Sequence, residues 1–291
     1  MYQLFVDTLS DFTPEICEEF GAKLISIPYA IDGKGYYPCE SKDELSDEEF
    51  IKLVRDGAKL TTFSVPIEKY IEYFEPIFKE GKDILYVHFT NECSSTYNAC
   101  RLAIQELLEK YPDRKYYDFD TKAIALGALA IGLVACKAFK AGKPVEEVIK
   151  LLEDERDHYA AYFFCEDLKY FARSGRFNGF AIALASIVGI KPMIQCAQNG
   201  KLMISNKPKG RANAMNLLFE ILDNLGDDIT NPDNELILAH IDDNDQFEIM
   251  CNRFYEKYGK KPHYRIDKVN RTAICHAGSL AVGFSFHSKS R

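Results

Sequence analysis

Ile84-Leu85-Tyr86-Val87-His88-Phe89-Thr90-Asn91-Glu92-Cys93-Ser94-Ser95-Thr96-Tyr97 is an apolar run that breaks into a hydroxyl-rich loop and leads into a helix. A buried strand followed by a helix is the unit of a parallel sheet, because parallel strands can be joined only by a long crossover. The alternation recurs from the N-terminus. Strand candidates at Gln3 to Val6, Lys23 to Ile27 and Lys115 to Phe119 are each followed by helical spacing. Ser46-Asp47-Glu48-Glu49 has the spacing of a capping box and opens a helix through Leu53, and Ile67 to Lys79 carries apolar residues at helical intervals. These features predict a mostly parallel three-layer α/β/α domain.

Helices over Leu126 to Ala141 and Val145 to Arg156 complete that domain, and a second series begins with the apolar run Ala160 to Cys165. At 291 residues the chain exceeds the usual size of one domain, and a boundary near Arg156 divides it into residues 1–156 and 157–291. In the second part, Ile190 to Gln195 and Lys201 to Ser205 form a hairpin around Gln198-Asn199-Gly200, where Asn-Gly supplies the positive φ angles of a tight turn. A strand Glu235 to His240, a helix Gln246 to Tyr258 and a final apolar segment Leu280 to Phe286 follow. This second domain is predicted to be a mixed α/β one.

With 47% hydrophobic and 27% charged residues, the composition is that of an ordinary globular protein with ample core material. The formal charge of −8, from 44 acidic against 36 basic residues, would repel nucleic acid and anionic lipid surfaces, and no local basic patch reverses it. The opening Met1-Tyr2-Gln3-Leu4-Phe5-Val6-Asp7 lacks the basic and then apolar pattern of a secretion signal, so a cytoplasmic location is expected. The longest apolar run, Ala123 to Cys136, is too short to cross a bilayer and reads as a buried helix. Nine scattered cysteines without a C-x-x-C pair support neither a disulfide framework nor a zinc site. The histidines at 88, 158, 240, 263 and 287 show no metal-ligand spacing.

Three segments carry candidate chemistry. The loop Phe89 to Tyr97 places Ser94 and Ser95 at a helix start, where backbone N–H groups carry partial positive charge. The serines are read either as caps or as donors to a bound anion. A second hydroxyl cluster, Thr61-Thr62-Phe63-Ser64-Val65-Pro66, precedes another helix. A third, Ala273 to Phe284, puts His276 at an apolar strand end beside Gly278, which allows close backbone approach.

Together these segments resemble the DegV family of fatty-acid-binding proteins. Thr62 to Pro66 looks like the family's Thr-Ser-Gln-Pro-Ser loop, with only the first threonine in place. Ser94-Ser95-Thr96-Tyr97 matches its Ser-Gly-Thr-Tyr segment with serine replacing glycine. His276-Ala277-Gly278-Ser279-Leu280 is similar to its His-x-Gly-Pro-Gly ending, without the proline and second glycine. Leu168 to Phe177, Gly189 to Ile194 and Val6 to Asp11 resemble three further family segments, so the likeness is collinear over essentially the whole chain.

The resemblance implies a two-domain α/β protein that buries one long-chain fatty acid, such as palmitate, stearate or oleate, in a tunnel between the domains. It implies that Thr62, Ser94 and Ser95 hold the carboxylate, that His276, Arg176 and Gly278 lie near the headgroup, and that no cofactor is needed. It also implies a carrier rather than an enzyme. A separate fatty acid kinase subunit would phosphorylate the bound acid to an acyl phosphate, a role in fatty acid metabolism and lipid transport. Burying about fifteen methylenes at about 0.8 kcal/mol each supplies the affinity, so neutral hydroxyls need only orient the carboxylate. Ala123 to Cys136, Ala161 to Cys165 and Phe180 to Ile190 would either line the tunnel or form plain core. An acyl hydrolase using Ser94 as nucleophile and His276 as base is the competing reading. Against it stand the absence of a G-x-S-x-G elbow and of an acidic partner for the histidine.

Overall fold

The structure, a computed structural model, describes all residues except 43, 167–169, 172–174, 176–187, 232, 260–261, 263 and 267–269, and gives the backbone alone for 264–266. Its chain forms two compact units, Met1–Glu44 with Leu60–Arg156, and Leu45–Lys59 with Asp157–Arg291.

The first unit is organised around a parallel sheet of β1 (Tyr2–Asp7), β2 (Lys23–Ile25), β6 (Asp83–His88) and β7 (Tyr116–Asp120), in the order β2-β1-β6-β7. Leu4, Phe5 and Val6 on β1 and Ile84, Leu85, Tyr86 and Val87 on β6 are all buried, because central strands of a parallel sheet are covered on both faces. Helix α1 (Pro14–Phe20) starts with Thr13 accepting from the Ile16 N–H and has Pro14 in its first turn, where a missing N–H costs nothing. Phe74 of α3 (Ile67–Lys79) packs edge-on against Phe5, with ring centroids 5.0 Å apart, and also meets Tyr86 and Tyr116. On the opposite face Tyr2 meets Phe139 of α5 (Ala125–Lys140) at 5.1 Å. This is the expected three-layer arrangement, completed by α4 (Thr96–Lys110) beside α3 and α6 (Val145–Glu155) beside α5. The apolar run of α5 is buried along most of its length, and no helix among the described residues is long and apolar enough to cross a membrane.

A small antiparallel sheet of β3 (Tyr29–Ile31), β4 (Lys34–Tyr36) and β5 (Leu60–Thr62), in the order β4-β3-β5, was not foreseen. Three-residue strands are too short to show a period, so only their pairing, Tyr29 with Thr62 among others, reveals them. This sheet sets the position of Thr62.

Between β4 and β5 the chain makes α2 (Asp47–Asp56), capped by the reciprocal Ser46–Glu49 bonds of the predicted capping box. Three side-chain links explain why this helix belongs with the second unit. Arg55 pairs with Asp242, Arg271 with Asp47 at 2.8 Å, and the Tyr170 hydroxyl donates to the Val54 carbonyl at 3.2 Å.

The second unit carries a six-stranded sheet of β8 (Tyr159–Cys165), β9 (Met193–Cys196), β10 (Leu202–Asn206), β11 (Ile237–Ile241), β12 (Tyr264–Ile266) and β13 (Ala281–His287). Its order is β10-β9-β8-β13-β11-β12, antiparallel except for β11 with β12, so it is mixed as expected. Phe164, Phe284 and Phe286 pack against Leu218, Phe219 and Leu222 of α7 (Arg211–Leu225) and Phe247 and Phe254 of α8 (Asn244–Tyr258). The predicted hairpin forms, but only Gly200 of the Asn-Gly pair has positive φ (85°). The Gly200 N–H bonds the Ala197 carbonyl at 2.7 Å and the Ala197 N–H bonds the Lys201 carbonyl at 2.9 Å. That pattern is a three-residue loop with glycine in the left-handed position, not a two-residue turn.

Candidate functional site

In an open α/β sheet, ligands collect at the carboxyl ends of the strands where the chain reverses its direction of progress across the sheet. From β1 the chain moves outward to β2 and then crosses to β6 on the other side, so that point lies between β1 and β6. The two loops leaving these ends are the one after Asp7 and the hydroxyl-rich loop after His88.

Asp7 is fully buried there and is satisfied four times over. Its Oδ1 accepts the Ser10 N–H and the Ser10 hydroxyl, both at 2.9 Å, while its Oδ2 accepts the Tyr86 hydroxyl and the Phe89 N–H, both at 3.2 Å. Burial pushes the carboxyl above its ordinary range, and the charge of nearby His88 and the donors from Phe89 and Ser10 oppose that push. One side chain thus ties the β1 loop to the start of the β6 loop.

The β6 loop is fixed at its base by the Thr90 N–H donating to the Ala123 carbonyl at 2.8 Å and by the Thr121 hydroxyl donating to the His88 carbonyl at 2.9 Å. Past Thr90 it becomes exposed and presents its serines. The half-buried Ser94 accepts the Thr96 N–H at 3.2 Å, which leaves the Ser94 O–H available as a donor. Ser95 is exposed, occupies the N-cap position of α4 and makes no side-chain capping bond. Of the two readings of this loop, Ser94 serves the backbone and Ser95 does not.

The second hydroxyl cluster is brought directly onto this loop. The Ser64 and Ser95 oxygens lie 3.4 Å apart, a pair in which one proton is shared and the other is free to donate outward. Beneath them the Val65 N–H donates to the buried Thr96 hydroxyl at 3.0 Å. Thr62, half-buried at the end of β5, begins the same segment. Ser64, Ser94 and Ser95 therefore belong to two adjoining loops at the N-terminal, electropositive end of a 15-residue helix, and Thr62 ends the strand that leads into the first of them. Neutral hydroxyl donors and a helix end together make an arrangement suited to an oxyanion and poorly suited to nucleophilic catalysis, since Ser94 accepts from an amide.

Ser64 and Thr96 were missed by sequence reading. Thr96 stands at the first helical position, where a threonine reads as a solvent-side cap, and nothing local signals that it is 3% exposed. A groove of about 850 Å³ lies elsewhere in the first unit, between α4 and β7, lined by Tyr97, Arg101, Leu102, Gln105, Tyr116 and Asp118. The hydroxyls named above do not line it.

His276 and Gly278 belong to the second unit. The expectation that His276 sits at a strand end is corrected: it lies in the last turn of α9 (Arg271–Ala277), opened by Asn270 accepting from the Ala273 N–H at 3.0 Å. The apolar spacing that suggested a strand belongs to β13, which begins only at Ala281. Gly278 follows with φ of 74°, and a β-carbon there would collide with the ring of Tyr170. Its lack of a side chain is thereby accounted for by packing. Arg176 and residues 180–187 of the third apolar segment lie outside the described residues. Seven of the nine cysteines are buried, with Cys39 exposed and Cys93 half-buried.

The family model described as "Uncharacterised protein, DegV family" matches residues 1–289. A DegV domain-containing protein of Clostridium perfringens is 31% identical over 286 residues, covering 97% of each chain. Among solved structures, a stearic-acid-binding protein from Eubacterium ventriosum superposes with a TM-score of 0.83 at 19% identity over 99% of both chains. DegV of Bacillus subtilis, a fatty acid binding protein, gives 0.82 at 21% identity over 99% of both. With a family match along nearly its whole length and a relative above 30% identity, this chain belongs to the DegV family.

Proposed function

We propose that this protein binds one long-chain fatty acid, with its carboxylate on the hydroxyls of Thr62, Ser94 and Ser95, and presents that carboxylate to a separate fatty acid kinase. The supporting observation is the meeting of two hydroxyl-bearing turns at the start of α4, held together by the Ser64–Ser95 and Val65–Thr96 contacts. A fatty acid needs a small polar cap and takes its affinity from the tail, at about 0.8 kcal/mol per buried methylene. Neutral donors suit the proposed role. Each contributes roughly 1.5 to 3 kcal/mol to a charged acceptor, enough to orient it, without the tight ion pair that would hinder attack on an incoming phosphoryl group. The family relationship, and the fatty acids named for its similarly folded members, favour this reading over an acyl hydrolase. A carrier of this kind works in the cytoplasm, needs no cofactor of its own, and releases an acyl phosphate after the kinase has acted.

Ser94→Ala and Thr62→Ala each remove one donor and should weaken oleate binding roughly tenfold or more, measured by titration of delipidated protein. Unchanged affinity in both variants would remove these residues from the site.

A further inference from the structure

The turn that carries Thr62 and Ser64 rests on two buried oxygens that the binding role itself does not require. The Tyr70 hydroxyl of α3 lies 3.2 Å from Thr96 Oγ1, at the first position of α4. Thr96 Oγ1 in turn accepts the Val65 N–H at 3.0 Å. Tyr70, Val65 and Thr96 are all at least nine-tenths buried, so water cannot substitute for either link.

The Val65 N–H can only donate, so one lone pair of Thr96 is fixed toward the loop. The Tyr70 hydroxyl holds the other side of Thr96 Oγ1, whichever of the two hydroxyls donates.

We propose that Thr96, held from beneath by the Tyr70 hydroxyl, is a positioning residue that holds the Thr62–Pro66 turn so that its hydroxyls face the carboxylate. This rests on the fatty-acid reading above and adds that the specificity for an acid headgroup is set from beneath the site, by groups that do not touch the ligand. Thr96→Val keeps the shape and removes both hydrogen bonds of the hydroxyl. Tyr70→Phe removes the one from beneath, and Thr96→Ser preserves both.

The test compares affinity for oleate with affinity for methyl oleate, which has the same tail and no anionic headgroup. In the parent protein the acid should bind more tightly than the ester. Thr96→Val and Tyr70→Phe should lower oleate affinity about tenfold while ester affinity changes less than twofold, and Thr96→Ser should restore the parent ratio. Val65 amide exchange, followed by NMR without ligand, should accelerate in Thr96→Val. An unchanged acid-to-ester ratio in Thr96→Val, or in Tyr70→Phe should the first variant not fold, overturns the positioning role while leaving fatty-acid binding intact. A fall in both affinities together assigns Thr96 to general stability and also overturns it. A parent protein that binds neither compound overturns the fatty-acid reading, and this inference with it.

Discussion

At the residue scale, single positions in this protein are constrained by what lies against them more than by their own chemistry. Gly278 combines a left-handed φ of 74° with the Tyr170 ring in the space a β-carbon would occupy. Gly278→Ala should therefore destabilise the protein by about 1 to 3 kcal/mol, combining backbone strain with overpacking. Chemical denaturation should show an earlier midpoint at unchanged slope, and an unshifted midpoint would show that Tyr170 moves aside freely. The cysteines illustrate the same control by surroundings. Burial pushes the thiols of Cys17, Cys100 and Cys275 up to about 12, so they behave as small core residues rather than nucleophiles. Ser94 and Thr62 stand out in the sequence as hydroxyls by residue type alone, which is what brings them into the proposed site. The burial of Thr96 does not stand out, because a buried threonine and a capping threonine look alike in sequence.

At the element scale, strands and helices with a long, strong period were readable, and those fixed by pairing alone were not. Ile67 to Lys79 coincides with α3, and the capping box at Ser46 opens α2 as the Ser-x-x-Glu spacing requires. The three-residue strands β3, β4 and β5 carry no periodic signal, and the helix α9 holding His276 is only seven residues long, within a segment whose apolar content suggested a strand. Between elements, Glu75 of α3 accepts from Lys79 at 2.9 Å, from the Tyr111 hydroxyl at 3.0 Å and from Lys110 of α4. The Lys110 bond foremost, then those of Lys79 and Tyr111, hold its carboxyl down to about 2, against an ordinary 4.5. A depressed carboxyl contributes stability that is complete above its unfolded value and is lost as pH falls through its folded value. The α3–α4 link should accordingly weaken from about pH 4.5 down to about 2. Melting curves of the parent and Glu75→Gln should differ at pH 6 and converge near pH 2, whereas a gap that does not change with pH would mean that ionisation of Glu75 contributes nothing to stability.

At the scale of the whole molecule, the alternation of strands and helices foretold a parallel first sheet and a mixed second one, and both are present. What linear reading could not foresee is that Leu45–Lys59 leaves the first unit to join the second, because the ties that hold it there, Arg55 to Asp242, Asp47 to Arg271 and Val54 to Tyr170, join residues more than a hundred positions apart. The hydroxyl turns, by contrast, come together inside one unit, at the strand ends where the sheet order reverses. The proposed role requires that these turns serve a fatty acid. Native mass spectrometry of protein purified from cells, repeated after delipidation and addition of palmitate or oleate, tests it most directly. One added mass of a long-chain fatty acid per chain is predicted in both preparations, and protein that is recovered empty and refuses both added acids would contradict it.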